Sequence, residues 1–190
     1  MKILLSAVFI NNIVLISFLG LEGILANTNK SRNAFGAIVS AMLIILLSSI
    51  VNYLTYEKLL LPYNLEILTL ILFSFNILVV SLVVSWLLKN TVSFLYKEVK
   101  EFIPAASVSS LMLGTALLNL KKSVDIYNYM YINFCNALGF ALIIVLLTSI
   151  RSRLTTGKLP KNIGEATLVL LILGLISMAF MGFMGAAAYL

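Results

Sequence analysis

The chain has 190 residues, 62% apolar and 11% charged, with a formal charge of +6 and a mean hydropathy of +1.10. A soluble domain carries about 45–50% apolar and about 25% charged residues, so this composition excludes one, and equally a disordered chain or a disulfide scaffold. A single cysteine, Cys135, and no histidine leave no internal disulfide, no self-contained metal cluster and no imidazole base.

In chain order, the charges delimit six uncharged runs: residues 3–21, 33–56, 67–88, 102–120, 126–150 and 166–190, each of 19 to 25 residues. A helix crossing the hydrocarbon core needs about 20 mostly apolar residues. The runs are too long and too uniformly apolar for barrel strands of about 10 alternating residues. They predict an all-α integral membrane protein of six transmembrane helices with short loops, a single membrane domain over 1–190. The first run resembles a secretory leader in outline. Asn11 and Asn12 interrupt its apolar stretch, however, and its length suffices to span, so it reads as a retained helix.

Six spans place both termini and the second and fourth loops on one side. That side carries Lys2, Lys58, Lys121 and Lys122. The other carries nine basic residues: Lys30, Arg32, Lys89, Lys97, Lys100, Arg151, Arg153, Lys158 and Lys161. Cytoplasmic loops hold the excess of Lys and Arg. The expectation is a multi-pass membrane protein with both termini outside and the basic loops in the cytoplasm. The positive charge then follows from topology, the lipid bilayer is the surrounding partner, and no nucleic acid is called for.

Two halves of three spans, about 1–95 and 96–190, enter the membrane in opposite directions. Inverted repeats of this kind place functional sites near the midplane, on helices that break there. Asn11, Asn12 and Leu15 in the first run stand 98 positions before Ser109, Ser110 and Leu113 in the fourth. Gly20, Glu22 and Gly23 follow the first pair; Pro104 precedes the second and Gly114 follows it. Broken first and fourth helices are therefore expected, with freed backbone groups that other protein groups or water must satisfy. Adjacent helical amides point about 100° apart, so one of Asn11 and Asn12 is expected to support an unwound segment. The serines read first as helix-packing residues.

These residues carry a resemblance. Asn11-Asn12-Ile13-Val14-Leu15 and Phe18-Leu19-Gly20-Leu21 resemble the first-span segments of the RnfA and NqrE family. Phe102-Ile103-Pro104, Leu113-Gly114 and Ala116-Leu117-Leu118-Asn119 are similar to its fourth-span motif, Gly139-Phe140 and Ile150-Arg151 to its fifth span, and Ala179-Phe180-Met181-Gly182-Phe183 with Gly185 to its sixth. The similarity covers essentially the whole chain. It implies a membrane subunit of an Rnf- or Nqr-type redox-driven, ion-translocating electron transport complex, non-catalytic by itself. It further implies packing against an inverted homologous sister (RnfE- or NqrD-like), alongside the complex's other subunits.

In that family the two sisters share a [2Fe-2S] cluster in mid-membrane, each supplying two cysteines. The matching positions here are Glu22 and Ser110. Neither offers sulfur, which such a cluster takes from thiolates. No cofactor is therefore expected to be held by this chain, and Cys135 reads as a small buried apolar residue. Glu22 ends an uncharged run and is read as a solvated loop residue; the family fold offers the alternative of an acid near the midplane, acting as an ion or proton site. Glu57, Glu66, Glu98, Glu101, Asp125 and Glu165 border loops near basic residues and read as solvated. An alternative function is a vitamin-type transporter component, but the Ala-x-x-x-Ala docking motif of such subunits is missing, Asn11 following Ala7 at that spacing.

Overall fold

A computed structural model describes residues 8, 9, 11–20, 31–120, 125–155 and 164–187, and among these every regular element is helical. The elements are α1 (Ile13–Ser17), α2 (Ser31–Thr55), α3 (Thr69–Thr91), α4 (Ser93–Val99), α5 (Phe102–Ser107), α6 (Ser110–Leu120), α7 (Ile126–Thr155) and α8 (Glu165–Ala187). A π-helical turn (Tyr56–Leu60) extends α2, and a 3-10 turn (Glu66–Leu68) leads into α3.

Among the described residues, three segments are long and apolar enough to cross a membrane: Ala34–Leu60, Glu66–Thr91 and Ile126–Arg153. They coincide with the second, third and fifth uncharged runs. The sixth run holds α8. The first and fourth runs are not continuous among the described residues: α1 has five residues, and α5 and α6 are separated at Val108–Ser109. The basic segment between the third and fourth runs is helical (α4) instead of an irregular loop.

The helix α2 is the centre of the bundle, packing on α3, α4, α5, α6 and α7. Its burial pattern is the reverse of a soluble helix. Ser40, Ser48, Ser49 and Asn52 are buried, whereas Phe35, Leu47, Val51 and Leu54 are exposed. In a bilayer, apolar faces meet lipid and polar groups turn inward. The buried serines donate to their own helix, Ser40 Oγ to Ala37 O and Ser49 Oγ to Ile45 O. The helix α3 shows the same outward apolarity, with Ile71, Phe75, Leu82 and Trp86 all more than 60% exposed.

Small residues let the central contacts close. A Cβ on Gly36 would strike the Glu98 carbonyl oxygen and the Phe102 ring, so α2 touches the α4–α5 backbone there. Lipid tails are as apolar as leucine, so close packing and buried hydrogen bonds carry helix association in a bilayer. One contiguous cluster runs through α1, α2, α3, α6, α7 and α8, from Val14 and Ile44 to Phe140, Ile144 and Leu173.

Candidate functional site: two helix breaks that meet

The first break is built by Asn12. Its backbone is extended, its Oδ1 accepts from Val14 N at 3.0 Å, and it thereby caps α1. Its Nδ2 donates to Val8 O at 2.9 Å and to Gly139 O at 3.2 Å, the latter on α7. One buried amide thus serves the backbone on both sides of an interruption and ties it to a neighbouring helix. Of the adjacent pair, Asn12 takes this supporting role, and Asn11 is exposed. After one turn and a half α1 ends at Phe18, which is left-handed (φ 53°), and Gly20 follows at φ 85°. A Cβ at Gly20 would lie 3.1 Å from Leu111 Cβ and 3.2 Å from the Phe140 ring, so the position needs glycine for both conformation and space.

The second break lies between α5 and α6. Ser109, 7% exposed, turns its hydroxyl to Leu111 N at 3.3 Å and caps α6 as Asn12 caps α1. The cap roles fall on Asn12 and Ser109, one position short of the 98-residue register read from the sequence. Pro104 and Gly114 do not mark the break. Pro104 is the third residue of α5, where an N–H has no intrahelical partner to lose. Gly114 lies inside α6, where a Cβ would run into the Leu19 side chain.

The two breaks meet. Gly20 N donates to Ser110 Oγ at 3.0 Å, across 90 residues of sequence, while Leu19 packs over Gly114. Beside this junction an open pocket of about 480 Å³ is lined by Ser74, Ile77 and Leu78 of α3 and by Ser107, Val108, Ser109, Ser110 and Leu113. The break is exposed there, Val108 at 78% and Phe18 at 49%.

Of the residues singled out in the sequence, Asn12, Ser109 and Ser110 gather at or beside the breaks. Asn11 is nearby in sequence but faces outward, and Glu22 lies outside the described residues. The fit to a four-thiolate cluster can be tested on Ser110 and Cys135. Ser110 presents an oxygen already engaged by Gly20 N–H. Cys135 is fully buried on α7. Among the described residues no three His, Cys, Asp or Glu side chains gather to hold a metal. Oxygen at this position does not suit a [2Fe-2S] centre, which takes thiolate or, in Rieske centres, imidazole ligands. Glu57, Glu66, Glu101 and Asp125 are exposed, whereas Glu98 is half-buried against the α2–α4 contact and Arg151, counted with a loop, is buried near the end of α7.

A second polar cluster involves the end of the fourth-span segment Ala116-Leu117-Leu118-Asn119. Asn119 Nδ2 on α6 donates to Asn133 Oδ1 on α7 at 2.6 Å, and Tyr129 donates its hydroxyl to Ala116 O at 3.0 Å. Both bonds pin the far end of α6 to α7. Asn119 belongs to the motif read from the sequence, whereas Asn133 and Tyr129 are signalled there only as isolated polar residues within an apolar run.

The sequence profile of the family described as "Rnf-Nqr subunit, membrane protein" matches residues 1–187. Curated relatives named as subunits of an "Ion-translocating oxidoreductase complex" align over nearly the whole chain. The protein of Hahella chejuensis is 35% identical over 183 residues, 96% of this chain and 95% of its own. That of Alcanivorax borkumensis is 34% identical over 184 residues with the same coverage, and that of Shewanella baltica 32% identical over 183.

Proposed function

The chain belongs to the Rnf-Nqr family of membrane-protein subunits, and from that premise we propose that it is a core membrane subunit of an ion-translocating oxidoreductase complex of the bacterial inner membrane, seated at its paired helix breaks against an inverted homologous sister subunit. The relatives' names supply the complex; the exposed junction supplies the seat.

The observation that carries this reading is the exposure of the breaks. In hydrocarbon, irregular backbone is tolerated only where protein buries it or water lines it. Val108 and Phe18 sit at such interruptions and are open on the isolated chain, beside a pocket large enough to receive side chains. Facing lipid, that irregular backbone would lie in hydrocarbon, whereas the matching break of an inverted homologue would bury it. The chain's own residues hold the junction in place: Asn12 and Ser109 cap the two half-helices, and Ser110 joins them through Gly20. An oxygen at position 110 makes this chain's share of the interface structural or part of an ion path, without thiolate ligation.

Cysteine accessibility tests the seat. Cys135 is buried, so Val108→Cys adds one reactive thiol. In detergent it should react with a maleimide when the chain is purified alone and be protected when the chain is purified with its sister. Equal labelling in both preparations would remove the interface from this face.

A further inference from the structure

The amide of Asn52 poses a problem the proposed function does not use. Asn52 lies in the last turn of α2, is 0% exposed, and neither its Oδ1 nor its Nδ2 has a partner. Asn133, 1% exposed on α7, accepts from Asn119 but leaves its Nδ2 unpartnered. Buried amides left unpaired are rare because each forfeits its bonds to water without replacement.

The two amides share one end of the bundle. The rings of Tyr53 and Tyr129 stand 5.6 Å apart, joining the C-terminal end of α2 to the N-terminal end of α7. Among the described residues these helices also form the most extensive contact, so with those ends together they run antiparallel. That register sets Asn133, one turn beyond Tyr129, level with the turn holding Ser49 and Asn52. The Tyr129 hydroxyl, on the same face, gives its proton to Ala116 O and presents its lone pairs toward the Asn133 amide beside it.

We propose that this node is an internal hydration site, where ordered water bridges Asn52 of the first half of the chain to Asn133 of the second. The groups without a partner are two amide nitrogens, each an NH2, and one amide oxygen. Water serves both kinds, accepting from Nδ2 and donating to Oδ1. A small cation would engage the oxygen alone and would face two NH2 groups with its charge. The site makes the bond between the halves of the chain partly one of exchangeable water, at the end of α6 opposite the helix breaks.

X-ray radiolytic footprinting of the full chain, purified with its complex in nanodiscs, tests this. Hydroxyl radicals made from bound water label side chains that bulk solvent does not reach. Tyr127, 83% exposed at the start of α7, calibrates the dose. Tyr129, 0% exposed, should be labelled in the wild-type protein and lose that labelling in Asn52→Leu. The same substitution should lower the thermal midpoint, because it removes bonds to water; if the amide is dry and unpaired, leucine should raise it. An unlabelled wild-type Tyr129 overturns the proposal, as does labelling that sodium suppresses and choline does not, which would assign the site to a cation. Should Asn52→Leu fail to assemble, the wild-type labelling and its sodium response decide alone.

Discussion

Three glycines in one protein separate the reasons a helix keeps that residue. At Gly36 a methyl group meets a backbone carbonyl of Glu98 and the Phe102 ring, neither of which can yield without moving a helix. At Gly114 it meets the end of the Leu19 side chain, which can rotate. At Gly174 nothing lies within 4 Å. Overpacking costs about 1–3 kcal/mol where the surroundings are rigid. Thermal unfolding of the detergent-solubilised complex should therefore rank Gly36→Ala as most destabilised, then Gly114→Ala, with Gly174→Ala unchanged or stabilised by about 0.5–1 kcal/mol through its better helix propensity. Any other order would mean that the α2–α5 approach is looser than these contacts. The residue at 110 carries a chemical prediction. Its hydroxyl sits on Gly20 N–H, two positions before Glu22. The purified pair of sisters should lack a stable, reducible [2Fe-2S] signal by EPR and iron analysis, and the double substitution Glu22→Cys with Ser110→Cys should bring iron back. One stable cluster per pair in the wild-type protein would overturn the loss of ligation.

Among the elements, the interrupted helices depend on their caps more than on their length, since α1 has only five residues. Helices this short are not stable by propensity alone. Asn12→Ala removes a cap worth about 0.5–2 kcal/mol and leaves the Val8 and Gly139 carbonyls without that donor. Asn12→Ala should cost more in thermal midpoint than Asn11→Ala, because Asn11 is exposed; equal losses would mean that the amide does not organise the break. The elements also show what a sequence reveals. The runs 33–56, 67–88 and 126–150 were legible as long helices because the bilayer imposes one length and one polarity on all of them. The interruptions were legible in kind through Asn12 and Gly20. Their positions were not, because proline disturbs a helix only past its first turn: Pro104 sits at the start of α5, and the chain breaks after it, at Val108–Ser109. The meeting of Asn119, Asn133 and Tyr129 was not legible either. These residues lie on two runs, and only the packing of α6 on α7 brings them within 2.6 to 3.0 Å of their partners.

For the whole molecule, orientation turns on where the basic residues stand once the helices are in place. Four fall with the termini and nine on the opposite side when six crossings are counted. Arg151 is buried near the end of α7, so its charge contributes less to that count than a solvated one. Removing it leaves eight against four, which keeps the bias. The helix α4 adds weight to the same side, carrying Lys97 with Lys100 directly behind it, both exposed and within reach of the membrane ends that set topology. The cytoplasm should therefore receive α4 and the segments following α1 and α7, and both termini should lie outside. A phosphatase reporter fused after Leu190 should be active, and a fluorescent reporter that folds only in the cytoplasm should stay dark at the same position. Fusing the pair after Lys100 should reverse both signals. If the Leu190 fusion is fluorescent instead, the chain is inverted, and the Asn52–Asn133 end of the bundle faces the cytoplasm while the basic end faces out. Charge reversal at the exposed Lys97 and Lys100 should weaken the bias without inverting it, because the basic count on that side falls from nine to seven against four.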